Sequence, residues 1–126
     1  MARNAVILID HGTTAPSPGG PLARLAAVLA GRAGTRVYPA HLVGEPALAD
    51  AVAQATVAGA ERVIVLPCLL GDGRHTRDTL PALLAEARQR HPSVELHLAD
   101  PLGMDDRLAA VLMDRLRPHL AGRAAP

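Results

Sequence analysis

Ala5-Val6-Ile7-Leu8-Ile9, followed without a break by Asp10-His11-Gly12-Thr13-Thr14, is an apolar, β-branched run that stops in a polar turn. A continuous run of this kind reads as a strand buried on both faces, which is the habit of parallel sheets covered by helices. Arg62-Val-Ile-Val-Leu66 repeats the pattern. Two further runs, Thr35-Arg-Val-Tyr-Pro39 and Val94-Glu-Leu-His-Leu98, alternate polar with apolar residues and suit the edges of the same sheet. Pro39 is read as the end of its run, because proline cannot donate to a ladder.

Helical periodicity fills the intervals. Pro21 to Arg32 carries Leu22, Leu25, Val28 and Leu29 at helical spacing, with proline at the start and Gly31 and Gly34 near the end. Glu45-Pro46 opens a second helix that runs to Ala58 and stops at Gly59. The third is expected from Asp78 to Arg90, with Leu80, Leu83, Leu84 and Ala87 on one face. The fourth is expected from Asp105 to Leu120, with Leu108, Val111, Leu112 and Leu116 turned inward and Pro118 disturbing its end. The order β-α-β-α-β-α-β-α predicts a three-layer α/β/α domain, its four-stranded parallel sheet covered on both faces. Right-handed crossovers favour the strand order 2-1-3-4. One domain, residues 1–121, accounts for the chain, and residues 122–126 read as a disordered tail.

In an open α/β sheet, ligands bind beyond the carboxyl ends of the strands, where the strand order reverses. That point falls between the first and third strands. The residues just past those ends are Asp10 to Thr14 and Pro67-Cys-Leu-Leu-Gly-Asp-Gly-Arg-His75, so each segment brings one histidine to one crevice. Imidazole suits cobalt, nickel, iron and zinc. Two protein ligands, His11 and His75, leave a coordination sphere open, whereas a structural zinc site closes it with four. A neutral imidazole also accepts a proton near pH 7. Gly12 allows backbone to approach a bulky planar ligand, and Thr13 and Thr14 add hydroxyl and N–H groups. Either histidine alone also reads as a loop hydrogen bonder, and Gly71 and Gly73 as ordinary turn residues. Arg74 and Arg77 read as solvated, or as partners for carboxylates because of their place beside His75.

Composition narrows the function classes. The sequence has 126 residues, 49% of them hydrophobic, with Tyr38 the sole aromatic residue, so its core is aliphatic. A formal charge of +1 and the lack of stacking aromatics argue against nucleic acid. All 13 cations are arginine, which codon bias explains most simply and which carboxylate recognition would also favour. Cys68 is the single cysteine, so neither an internal disulfide nor a cysteine cage can form, and it reads as a packed small side chain. The apolar run that ends at Ile9 is too short for a signal peptide or a membrane span, so a soluble cytoplasmic protein without membrane association is expected. His91 reads as a helix end, and His97 and His119 as surface residues.

The segments Ile7-Leu-Ile-Asp-His-Gly-Thr13, Val65-Leu-Pro-Cys-Leu-Leu-Gly-Asp-Gly-Arg-His75 through Pro81, and Asp100-Pro-Leu-Gly103 resemble, in the same order, those of the short CbiX-type sirohydrochlorin chelatases. The likeness spans nearly the whole chain. It implies a half-size class II chelatase fold that pairs as a homodimer, and insertion of cobalt, iron or nickel into sirohydrochlorin without ATP or another nucleotide cofactor. The products lead to cobalamin or siroheme. On this resemblance His11 and His75 correspond to the family's metal-binding and proton-accepting histidines. The substrate's carboxylates would meet Arg74, Arg77, Gly73 and the amides near Thr13 and Thr14, and Leu69 and Leu70 would pack on the ring. The family's usual serine after His-Gly is Thr13 here, and Thr79 stands in place of a frequent acid, with Asp78 beside it. The segment Ala40-His-Leu-Val-Gly44 lacks the acid often found before the second helix, which leaves His41 or Glu45 as substitutes. Two other readings of the same residues are a non-catalytic metal or tetrapyrrole carrier and a histidine phosphatase. The second normally has arginine before the histidine, where this chain has Asp10.

Overall fold

The computed structural model describes residues 3–12, 20–71, 73 and 75–120, the side chains of His75 and Thr76 excepted. Strand β1 (Asn4–Gly12) leads through helix α1 (Pro21–Ala33) to β2 (Arg36–Val43) and helix α2 (Leu48–Val57). Strand β3 (Arg62–Pro67) is followed by a π-helical turn (His75–Thr79) that runs directly into α3 (Leu80–Arg90), then β4 (Glu95–Leu98) and α4 (Arg107–Leu120). All neighbours in the sheet are parallel, in the order β2-β1-β3-β4 expected from the alternation of elements. The expected tail, 122–126, lies outside the described residues.

The main core lies on one face of the sheet. Ile7 and Ile9 of β1, Ala40 of β2, Val63 and Val65 of β3 and Leu96 of β4 pack there against Leu48, Ala51, Val52 and Ala55 of α2 and Leu80, Leu84 and Ala87 of α3. Small alanines bring α2 close, and branched strand residues fill the remaining volume, which is how a chain with one aromatic residue reaches close packing. The second face is thinner. Leu8 meets Leu22 and Ala26 of α1, with Val37, Leu66 and Cys68 partly buried around them. Helix α1 stops where Gly34, at φ 65°, adopts the left-handed conformation and its N–H caps the Ala30 carbonyl at 2.9 Å.

Several expectations need correction. Strand β2 continues through Pro39 to Val43, because it is an edge strand and can tolerate a missing donor. Strand β1 likewise runs on to Gly12, so His11 is a residue of the strand itself. Helix α2 starts at Leu48 instead of Glu45-Pro46, because the Pro46 carbonyl is engaged by the His41 N–H at 2.9 Å and Ala47 remains extended. Helix α1 turns Leu22 and Ala26 inward but leaves Leu25 and Val28 nearly half exposed. The largest departure is α4. None of its residues is buried, and Val111, Leu112 and Leu116, expected inward, are 47%, 66% and 46% exposed. Strand β3 shows the consequence: Val63, Val65 and Pro67 are buried while Ile64 and Leu66, on the face α4 leaves open, are only half-buried. Pro118 is accommodated inside α4, near its last turn. No helix among the described residues is long and apolar enough to cross a membrane.

Candidate functional site

The carboxyl ends of β1 and β3 meet as the strand order requires. Pairing continues past the last ladder residue, for the Cys68 N–H donates to the Ile9 carbonyl at 2.6 Å. The chain leaving β4 folds back over the same end, with Leu102 N–H on the Pro67 carbonyl (2.9 Å) and Gly103 N–H on the Leu69 carbonyl (3.0 Å). Three separate sequence segments, those containing Ile9, Pro67 to Leu69 and Leu102-Gly103, are thereby laced together by backbone bonds at the switch point.

His11 is the penultimate residue of β1 and is exposed. Its Nδ1 lies 3.3 Å from the Gly12 carbonyl oxygen. A carbonyl only accepts, so in this contact Nδ1 is the donor. Gly12 follows at φ 81°, and a Cβ there would lie 2.0 Å from the Val43 carbonyl oxygen and 2.6 Å from the His41 Cβ. Only glycine lets the end of β1 lie this close to β2.

His75 is the first residue of the π-helical turn, whose start is held by the Arg77 N–H on the Gly73 carbonyl at 3.1 Å. Single π-helical turns concentrate at functional sites, because the wider turn re-aims side chains. Arg77 is exposed within the turn. Thr13, Thr14 and Arg74 lie outside the described residues. Gly73 has open space where a Cβ would stand. Of the two leucines, Leu69 packs partly against the main core, whereas Leu70 is 49% exposed.

One pair escaped the reading of the sequence. His41 Nδ1 and Asp10 Oδ1 are 2.5 Å apart, with side chains 24% and 32% exposed. The ladder register places these two residues opposite each other. The signal was the register itself, which becomes visible only once β2 is carried past Pro39. Cys68 is half-buried nearby, and burial together with the Asp10 carboxylate pushes its thiol up. It is therefore less nucleophilic at neutral pH than a solvated cysteine. Glu45, the other substitute considered for a missing acid, is exposed in the bend before α2. Among the described residues no three histidine, cysteine or carboxylate side chains are grouped to hold a metal ion.

Residues 5–119 match the CbiX family model. The chain belongs to the CbiX family. Among its relatives is a chloroplastic sirohydrochlorin ferrochelatase of Arabidopsis thaliana, 29% identical over 96% of this chain and 56% of the relative. A sirohydrochlorin cobaltochelatase of Methanocaldococcus jannaschii is 28% identical over 88% of this chain and 96% of its own length. A CbiX protein of cobalamin biosynthesis from Marinobacter aquaeolei superimposes with a TM-score of 0.69 at 27% identity, covering 95% of this chain and 99% of the other. The sirohydrochlorin chelatase SirB from Bacillus subtilis, solved in complex with cobalt, shares the fold (TM-score 0.75, 21% identity) over 92% of this CbiX chain and 50% of its own. The chain thus spans about half the length of SirB and of the chloroplast enzyme, and nearly all of the archaeal one.

Proposed function

We propose that this CbiX chain is a lyase-type chelatase that inserts a divalent metal ion, cobalt or alternatively nickel or iron, into sirohydrochlorin in cobalamin or siroheme synthesis. Its curated relatives are sirohydrochlorin ferrochelatase and cobaltochelatases. The observation that carries the reading to residues is that His11 is the next-to-last residue of β1 and His75 opens the turn after β3, on the two sides of the switch point.

In this reading the metal is a substrate, and no nucleotide takes part. Insertion exchanges two pyrrole N–H protons for one M²⁺. His11 presents the cation from the end of β1, and His75 approaches from the other segment; between them they hold the cation and accept protons as the ring nitrogens release them. Arg77, Arg74, Gly73 and the Gly12–Thr14 amides meet the carboxylates on the macrocycle rim, where the guanidinium fork pairs best. Leu70, with Leu69 behind it, packs on the ring plane.

The proposal includes pairing with a second copy in the cytoplasm. Helix α4 carries an apolar face that nothing among the described residues buries, and single-domain relatives of full matching length exist beside relatives about twice as long. A second copy supplies the lobe that the longer proteins carry in one chain, and it encloses a macrocycle that one lobe leaves open to water.

The test is anaerobic insertion of Co²⁺, Ni²⁺ and Fe²⁺ into sirohydrochlorin, followed by absorbance, for the wild type and the His11→Ala/His75→Ala variant. Many turnovers per subunit, lost in the variant, are expected and would rank the metals. Stoichiometric metal binding with insertion no faster than the uncatalysed background would replace the chelatase by a carrier.

A further inference from the structure

We propose that the amino-terminal end of the sheet carries a second binding site, for a small organic anion: a carboxylate or phosphate ester on a short apolar body. The proposal is independent of the chelatase reading.

The site is a cavity of about 390 Å³ between the first residues of β1 and β2 and the last turn of α2. Its floor follows from the sequence. Ala5, Ala55, Ala58, Gly59 and Ala60 line it, and none has a side chain long enough to fill the space between sheet and helix. In the β1–β2 ladder Ala5 is opposite Arg36 and Ile7 is opposite Tyr38, so the two larger residues stand on the edge strand and wall the cavity there. Small-molecule sites have this size and this make-up, mostly apolar with a few polar groups at set positions.

The charged groups of the cavity are of one sign. Arg3 and Arg36 line it beside the neutral Asn4, Thr35 and Tyr38, and no carboxylate among the described residues does. Neither guanidinium forms an ion pair among the described residues. Glu61 instead accepts the Arg3 backbone N–H on its carboxylate at 3.0 Å. The Arg3 carbonyl accepts from the N–H groups of Glu61 (2.8 Å) and Arg62 (3.1 Å), so three bonds anchor Arg3 at the rim. Its guanidinium lies over Gly59, with Nη1 3.0 Å from the place where a Cβ would stand.

Arg36 donates through Nη1 to the Tyr38 hydroxyl at 3.3 Å. The hydroxyl accepts in that bond, which leaves its own O–H to donate to a ligand. An anion in the cavity thus meets two guanidinium forks and a phenol. The carboxyl ends of α1 and α2 lie at this end of the domain and oppose an anion. Each amounts to roughly half a negative charge, so the two full positive charges of the arginines outweigh them. Guanidinium pairs with carboxylate and phosphate oxygens alike, and the alanine floor takes the apolar body. His11 lies seven residues along β1, about 20 Å away at the rise of a strand, so an anion here leaves that end open.

Tyr38 is the sole aromatic residue, so the tyrosine emission of the full chain reports on the wall of this cavity alone. Butyrate, butyl phosphate and inorganic phosphate are titrated at constant ionic strength set with chloride, with butanol as the neutral control. Calorimetry gives a second readout. Saturable binding of a butyl anion is expected, and the tighter of the two identifies carboxylate or phosphate ester as the preferred headgroup. Arg3→Gln and Arg36→Gln should each weaken it about tenfold or more, the loss expected for a charge-assisted hydrogen bond. Ala58→Leu, which fills the floor and keeps both arginines, should abolish it. Each variant is checked for folding by circular dichroism, and if Ala58→Leu is unfolded the arginine variants decide. No saturable binding by either readout would overturn the proposal. So would inorganic phosphate or butanol binding as tightly as the butyl anions, or unchanged affinity in both folded arginine variants. None of these outcomes depends on insertion activity, so this proposal and the chelatase reading fail separately.

Discussion

Replacing Gly12 by alanine should be among the most damaging single-methyl additions in the chain. Two costs arise, and both are visible at the end of β1. The backbone stands at φ 81°, where an L-residue with a Cβ is disfavoured by about 1–2 kcal/mol. The new methyl carbon would also stand 2.0 Å from the Val43 carbonyl oxygen and 2.6 Å from the His41 Cβ. Backbone cannot swing aside as a flexible side chain does, so β1 and β2 must separate, at a cost of about 1–3 kcal/mol typical of overpacking. A loss of several kcal/mol is a large share of the stability of a small domain. At roughly 4 °C per kcal/mol, the melting temperature should fall by about 8–20 °C. The assay is thermal unfolding by circular dichroism, with Gly71→Ala as control, because nothing lies within 4 Å of a Cβ placed there. A Gly12→Ala protein melting within about 2 °C of the wild type would refute the close approach of the two strands.

Gly31 lies inside α1 with open space where an alanine methyl would stand, so Gly31→Ala should stabilise the chain by about 0.5–1 kcal/mol, measured by urea unfolding. The Cys68 thiol, pushed up by burial and by Asp10, should react with a disulfide reagent at pH 7 more slowly than free cysteine. Its rate should rise on going to alkaline pH and also in Asp10→Asn; a rate matching free cysteine at pH 7 would contradict the burial. Leu112→Glu/Leu116→Glu on α4 should shift the sedimenting species from dimer to monomer with little change in circular dichroism. A dimer that survives the double variant would move the proposed pairing away from α4.

Much of this molecule is legible in its local sequence. Continuous β-branched runs at Ala5–Ile9 and Arg62–Leu66, between helical patterns, are enough to order the sheet and to place His11 and His75 at its switch point. What escapes is set by contacts between distant residues. Pro39 carries the local signature of a strand end, yet β2 runs on to Val43, since an edge strand leaves one side without partners. The Asp10–His41 pair joins residues 31 apart and exists only in the true β1–β2 register. No window of sequence contains it. The displaced start of α2 has the same origin, in the His41 N–H taking the Pro46 carbonyl.

Helix α4 exposes a different limit of pattern reading. Leu108, Val111, Leu112 and Leu116 recur at helical spacing, which predicts burial, but periodicity does not state against which molecule. Among the described residues the second face of the sheet has α1 alone, Ile64 and Leu66 of β3 are left half-buried, and α4 buries nothing. Exposed leucines scattered singly would need no explanation, but a whole apolar helix face beside an under-covered sheet is a paired deficit. Two copies that each lend α4 to the other would cover both with the residues already present, whereas an α4–α4 contact alone would leave Ile64 and Leu66 open. The two arrangements differ at β3. In the first, Ile64→Glu should disrupt pairing as strongly as the α4 variants; in the second it should leave the dimer intact.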